Sequence, residues 1–422
     1  MQFHNFMAYI LNIEYQRYAA SSSGEPNALK KTGEKIQNFP VIVQKNGSPW
    51  LAGCAYLCSS AQDVFAGSLS IKTIRSYSWQ LLSYLQYCED SGLDPMRFGT
   101  TRLEKPSYLY KGYLVKQKNG TASKKLSSST VTARINAVTR FFAWAIDHGW
   151  LEASAEPFRL KSSVATKIDQ FGFEKKISVQ STDLSIRKSR TSSTTVEGGL
   201  TPVSTKVRDE ILAYATMYSS PEFSIMLELG FRTGLRIQTI CGLHVEAFSN
   251  AVPSDVQGLH YFNVGPKYGI PTKFGVNYKP QIPDDLLLKI KSYINSPRRL
   301  DRAAKANDSN KKIILLNRWG KPYNDAGSDL SSSVSQDLNR LRKKTAGKLD
   351  LREFYFHCTR ATFGTSIVTA GLQAGIRVDH IINRLKDLLG HKNASTTLSY
   401  IKFIEAMNVN NTIDDELARQ SK

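Results

Sequence analysis

Two stretches of the chain carry apolar side chains at three- and four-residue spacing. In TIRSYSWQLLSYLQYCEDSGLDP these are Ile74, Tyr77, Leu81, Leu82, Tyr84 and Leu85, with Gly92 after them. In SSSTVTARINAVTRFFAWAIDHGWL they are Val131, Ile135, Val138, Phe142 and Ala145, with Gly149 after them. That period belongs to a helix and excludes a strand, and a glycine just past the last apolar position is where a helix stops. A helix with one apolar stripe must bury it against another element. Residues 66–160 are therefore predicted to form a helical domain. The basic turn KQKNGTASKK joins its two long helices, and Lys72, Arg75, Arg134 and Arg140 stand among their polar positions.

The rest of the chain divides by composition. Its 422 residues allow two or three domains, at about 150 residues each. Residues 1–65 combine a strand-like run at 41–43, a turn at Asn46-Gly47 and an apolar helical stretch, and read as an N-terminal arm or accessory domain. Residues 161–199 are rich in Ser, Thr, Lys and Arg and read as a basic linker, with a short ordered piece near 171–173. A second domain opens at Leu200. TKVRDEILAYATMYSS and FSIMLELGFRTG read as helices, with Thr205 a cap for the first. LHYFNVGPKYGIPTKFGVNYKPQIP, aromatic and β-branched but broken by Gly and Pro, reads as a small antiparallel sheet. DDLLLKIKSYINS reads as a helix, IILLN as a short strand, and helices return through Tyr400.

Charge narrows the partner. The chain has 56 Lys and Arg against 36 Asp and Glu, a formal charge of +20, which points to a polyanion, and nucleic acid is the expected one. No run approaches the roughly 18 apolar residues of a membrane span, and the first residues lack a basic n-region. Membrane and secreted classes are disfavoured. Five scattered cysteines fit a reducing, cytoplasmic compartment. Cys54 and Cys58 share a helical face, but no second pair follows at zinc spacing, so no metal is assigned.

Four segments carry chemistry: TGLRIQTICGL with Arg236, PTKFGV with Lys273 on a hairpin, FHCTRATFGTSI with His357 and Arg360, and LLGHKNASTTLSYI with His391 and Tyr400 nine positions apart. Each alone has an ordinary structural reading. As an ordered set in one basic chain they resemble the tyrosine recombinases, or phage integrase family. The resemblance runs from Leu200 to about Glu405 through the motifs. It extends to 68–157, which is similar to that family's helical core-binding domain.

The fold expected is mostly α and multidomain: a helical core-binding (SAM-like) domain, and a mainly helical catalytic domain with a small antiparallel sheet. Residues 200–405 would be the catalytic domain and 406–422 a tail that can be donated in trans. Two guanidiniums, Arg236 and Arg360, suit the non-bridging oxygens of a phosphodiester, which they can hold bidentately. His357 and His391 can donate to the same oxygens or move the tyrosine proton. Tyr400 is the motif residue suited to be the nucleophile, and Lys273 can protonate the leaving oxygen, with Lys267 the alternative on the same hairpin. The resemblance implies a 3′-phosphotyrosine intermediate, no cofactor, no metal and no ATP. It also implies a homotetramer on DNA and leaves room for accessory DNA-bending or directionality factors. Lys72, Arg75, Arg134 and Arg140 are the expected DNA contacts of the helical domain. Many members carry an acid three positions after the first arginine, where this chain has Thr239, which puts the groups around that arginine in question. A type IB-like topoisomerase and a catalytically decayed DNA-binding assembly protein are the competing readings. The expected setting is the cytoplasm of a prokaryote, at the nucleoid.

Overall fold

The computed structural model describes residues 7–20, 29–120, 125–168, 174–186, 195–197, 199–324, 331–392 and 394–420. The chain forms two compact units, Met1–Ser189 and Arg190–Lys422.

The first unit opens with an antiparallel pair, β1 (Tyr9–Ala20) and β2 (Leu29–Val43), aligned from Tyr9↔Val43 to Ala20↔Leu29 through two register shifts. Four helices follow: α1 (Leu51–Phe65), α2 (Ile71–Asp90), α3 (Pro106–Asn119) and α4 (Ser128–Asp147). Ser70 caps α2 and Ser127 caps α4, each side chain accepting a backbone N–H of the first turn. The stripes expected from the sequence are the buried ones. Ile74, Leu81, Leu82, Tyr84 and Leu85 of α2 meet Val131, Ile135, Val138 and Phe142 of α4 in one core. Trp50, Tyr56, Tyr84, Phe141 and Phe142 fill its centre, with Tyr84 edge-on to Phe142 at 5.7 Å between centroids.

Two expectations need correcting here. Residues 1–65 are not a separate arm. Phe39 and Ile42 of β2, Trp50, and Leu57 and Ala61 of α1 lie in the same core as α2 and α4. Cys54 and Cys58 sit half-buried on α1, and burial pushes the Cys58 thiol up to about 11, so it packs as a neutral thiol. The segment 161–199 is not all linker either, for β3 (Leu160–Ile168) and β4 (Glu174–Thr182) pair antiparallel residue for residue. Asp183 pins the base of that hairpin, accepting from Tyr108 Oη at 2.7 Å, Arg159 N at 3.0 Å and Arg102 Nη2 at 3.1 Å. The ordered piece expected at 171–173 lies outside the described residues.

The second unit begins with α5 (Thr205–Tyr218), α6 (Pro221–Thr233), α7 (Ile237–Cys241) and α8 (Val245–Ser249). Ser204, not Thr205, caps α5. A three-stranded antiparallel sheet follows, β5 (Val252–Pro253), β6 (Leu259–Tyr261) and β7 (Gln281–Pro283), in that spatial order. Then come α9 (Asp284–Ile294), α10 (Pro297–Ala304), α11 (Ser332–Lys344), α12 (Cys358–Gln373), α13 (Val378–Leu389) and α14 (Ala394–Gln420). Helix α6 is apolar almost all round, Phe223, Ile225, Met226, Leu227, Leu229 and Phe231 being buried, and it forms the centre of the larger core. A smaller core joins α12, α13 and α14 through Ala361, Val368, Ile381, Leu385 and Ile401.

The sheet is narrower than the sequence suggests. In the connection from β6 to β7 Val264↔Tyr278 forms an isolated bridge, and two 3₁₀ turns, Pro266–Tyr268 and Lys273–Gly275, lie beyond it. IILLN is not a strand. It makes the single bridges His244↔Ile313 and Leu316↔Pro322, buries Ile314 and Leu315 in the larger core, and has its Ile313 and Leu316 carbonyls bound by the Arg299 and Arg302 guanidiniums. Side chains there satisfy backbone acceptors that a neighbouring strand would otherwise have to meet.

Candidate active site

Every motif residue but Tyr400 sits where an element starts or stops. Helix α6 ends at Gly234, whose φ of +67° is left-handed, the usual glycine stop. A side chain there would also collide with Leu389 and Phe363. The chain then turns at once, and Arg236 is the residue before α7. His357 immediately precedes α12 and Arg360 lies in its first turn, the one-face placement that three-residue spacing implies. Helix α13 stops at the left-handed Gly390, which delivers His391, and Tyr400 follows on α14. The Tyr400 ring lies against Gly364 of α12, where a Cβ would overlap it, and 6.2 Å from the His391 ring between centroids.

These groups converge on one anion, the carboxylate of Glu197. Arg360, with no exposed surface, directs Nε to both Glu197 oxygens at 3.2 Å. Its two Nη atoms donate to the carbonyls of Gly234 at 2.7 Å and Leu389 at 3.0 Å. His391 holds Thr397 Oγ1 at 2.9 Å through Nδ1 and Glu197 Oε1 through Nε2. Arg236 Nη2 and His357 Nε2 each lie 3.8 Å from a Glu197 oxygen. Among the described residues Arg236 Nε and the Tyr400 hydroxyl are buried with no hydrogen bond of normal geometry.

Electrostatics follows from burial and these neighbours. Burial alone would raise the Glu197 pKa, but Arg360, His391 and Arg236 together hold it well below the usual carboxylate range. Burial lowers His357 to about 4, with the two arginines and Lys273 adding to the effect and Glu197 opposing it. His391 is also lowered by burial, against the pull of Glu197. Both imidazoles are thus neutral near pH 7 and can donate one N–H each. Burial first and the Glu197 charge second push the Tyr400 phenol far up.

Lys273 is exposed, on a 3₁₀ turn (Lys273–Gly275) rather than on a strand hairpin, with Phe274 left-handed at φ +63°. It lines a cleft of about 420 Å³ together with Arg236 and His357. Lys267 does not line that cleft, and its backbone N–H is held by Asn277 Oδ1 at 3.0 Å. Thr239 is buried and donates to the Pro271 carbonyl at 3.0 Å, which ties α7 to the loop leading into Lys273. In the first unit Arg75 spends Nε and Nη2 on the carbonyls of Asn38 and Gln37, at 3.1 and 3.2 Å. Arg140 donates to Tyr77 Oη at 2.7 Å. Both act first as ties within that unit. Lys72 and Arg134 are half-buried on α2 and α4.

Sequence reasoning missed Glu197 and Thr397. Glu197 is the last of only four acids in residues 161–199 and is followed by two glycines, a faint signal that a linker reading absorbs.

Two arginines and two histidines thus surround one two-oxygen anion beside a buried tyrosine. Residues 205–405 match the family model described as the phage integrase family, and this part of the chain belongs to that family. It is accordingly a tyrosine-type enzyme of DNA strand cleavage and joining. No curated protein matches it. Among solved structures it is similar to the XerH site-specific recombinase bound to palindromic difH substrate, at 13% identity and TM-score 0.50 over 81% of this chain and 80% of that one. It is also similar to the Tn1549 transposon integrase in complex with circular intermediate DNA, at 16% identity and TM-score 0.48 over 82% and 94% of the two chains. The lambda integrase dimer bound to a COC′ core site is a further likeness, at 17% identity and TM-score 0.45 over 82% and 94%. The XerH likeness is one of fold.

Proposed function

We propose that the chain is a site-specific recombinase or integrase in which Tyr400 is the nucleophile and Arg236, Arg360, His357 and His391 hold the scissile phosphate. The convergence of those four side chains on a single anion beside Tyr400 carries the reading. Tyr400 Oη attacks phosphorus, the P–O5′ bond breaks, and a 3′-phosphotyrosine forms with a free 5′-hydroxyl. A neutral histidine takes the phenol proton, and Lys273 gives a proton to the departing O5′. The arginines and histidine N–H groups stabilise the charge that grows on the non-bridging oxygens. A 5′-hydroxyl of a second strand then attacks the phosphotyrosine, so the bond energy is kept and no nucleotide hydrolysis is required.

The +20 charge supports duplex DNA as the partner, with Lys72, Arg75, Arg134 and Arg140 as contacts from the first unit. A homotetramer on DNA, joined by exchange of the segment after Tyr400, belongs to the same reading. So do accessory bending or directionality factors and a place at the nucleoid in the cytoplasm. No helix among the described residues is long and apolar enough to cross a membrane.

The test is to trap the protein on a nicked duplex, digest the adduct and locate the nucleotide by mass spectrometry. It is expected on the peptide containing Tyr400, and attachment elsewhere would overturn the assignment. Lys273 has its own test, because a leaving oxygen replaced by sulfur needs little protonation. Lys273→Ala should fail on ordinary DNA and recover on DNA with 5′-bridging sulfur. Rescue seen with Lys267→Ala instead would move the acid to Lys267.

A further inference from the structure

Glu197 does not behave as a bystander in this site. Its carboxylate meets the same donors that the proposed function assigns to the scissile phosphate: Arg360 Nε, Arg236 Nη2, His391 Nε2 and His357 Nε2. Two guanidiniums and one carboxylate leave the cluster one positive charge in excess. A phosphodiester in the carboxylate's place, also carrying one negative charge and two free oxygens, would leave the same balance. Both cannot be present together. A neutral His391 has one N–H, that N–H faces Glu197, and a second anion at this distance would be repelled in a poorly solvated site.

The placement of Glu197 is built into the fold. Val196 is fully buried in the core that contains Tyr400, and it exchanges two backbone hydrogen bonds of 2.8 Å with Leu200. Glu197 itself is held at φ +40°, a left-handed conformation that an L side chain adopts only where its surroundings impose it. The cations of the site and the Val196 anchor are what impose it here. While the carboxylate is in place the Tyr400 hydroxyl is buried beside it, with its pKa pushed up by burial and by the Glu197 charge.

We infer that Glu197 is an internal surrogate for the scissile phosphate, an autoinhibitory plug that a DNA phosphodiester must displace before Tyr400 can act. This rests on the phosphate-site reading above. The opposing possibility is a positioning role, in which Glu197 replaces the acid absent at Thr239 and stays in place during cleavage. The two predict opposite signs for loss of the charge.

Glu197→Gln keeps the shape and an oxygen for His391 while removing the charge. On nicked duplex it should reach half-maximal adduct formation at about tenfold lower DNA concentration than the unmodified chain, because the site no longer has to be emptied first. Glu197→Asp, whose shorter carboxylate draws back while keeping the charge balance, should fall between the two. Inorganic phosphate should raise the melting temperature of Glu197→Gln and leave that of the unmodified chain unchanged, a readout that needs no cleavage. Slower adduct formation by Glu197→Gln, or equal phosphate effects on both proteins, would overturn the plug. If the adduct maps away from Tyr400 while phosphate still stabilises only Glu197→Gln, the plug stands and the assignment of the nucleophile falls.

Discussion

Tyr400→Phe should bind nicked duplex DNA as the unmodified chain does and leave no covalent adduct on a denaturing gel. The expected loss is complete, because the proposed reaction forms its phosphate ester at Tyr400 Oη and phenylalanine has no oxygen to offer. The structure also predicts that this variant pays nothing in folding. The Tyr400 ring is buried against Gly364, while its hydroxyl makes no hydrogen bond of normal geometry among the described residues. Removing a buried, unsatisfied hydroxyl leaves the packing intact and relieves a desolvation cost, so stability should hold or rise by about 1 kcal/mol. Denaturant titration beside the cleavage assay checks both halves. A persistent adduct in the Phe variant would remove Tyr400 from the chemistry.

The second large effect separates the two arginines. Arg236→Lys and Arg360→Lys keep a charge but lose the planar fork, and each should slow cleavage by about 10²-fold or more, the scale of removing one oxyanion donor. DNA affinity should change little, since many other phosphate contacts carry binding. The variants should part company in stability. Arg360 lies wholly buried and supplies the donors for the Gly234 and Leu389 carbonyls, at the stops of α6 and α13. A lysine cannot reach both while facing the anion, so Arg360→Lys should also lose about 2–3 kcal/mol of folding stability, the cost of leaving such groups unmet. Arg236 makes no hydrogen bond through Nε, and its Nη2 stands 3.8 Å from Glu197, so Arg236→Lys should fold nearly as well as the parent. Near-normal cleavage by either variant would take that arginine out of the site.

The sequence alone determined whatever depends on local period or on residue type. The stripes of α2 and α4 were legible because a 3.6-residue period states which side chains share a face, and those side chains are the buried ones. His357 and Arg360 shared a face for the same reason, while the four motif segments stood out only as an ordered set, through their resemblance to a known family. Tertiary structure alone decided the rest. Helix α1 joined the helical core because Trp50 and Leu57 found Phe141, Tyr84 and their neighbours, contacts that no local pattern announces. The β3–β4 hairpin arose from a Ser-, Thr- and Lys-rich stretch whose polar composition looks the same in a strand pair as in a linker. Lys273 stood on a turn because Phe274 and Gly275 take left-handed conformations, which a run of β-branched and aromatic residues hides. Glu197 entered the site from 39 residues before Arg236 and 163 before Arg360. A carboxylate's partners are set by Coulomb attraction across space, and chain separation carries no trace of it.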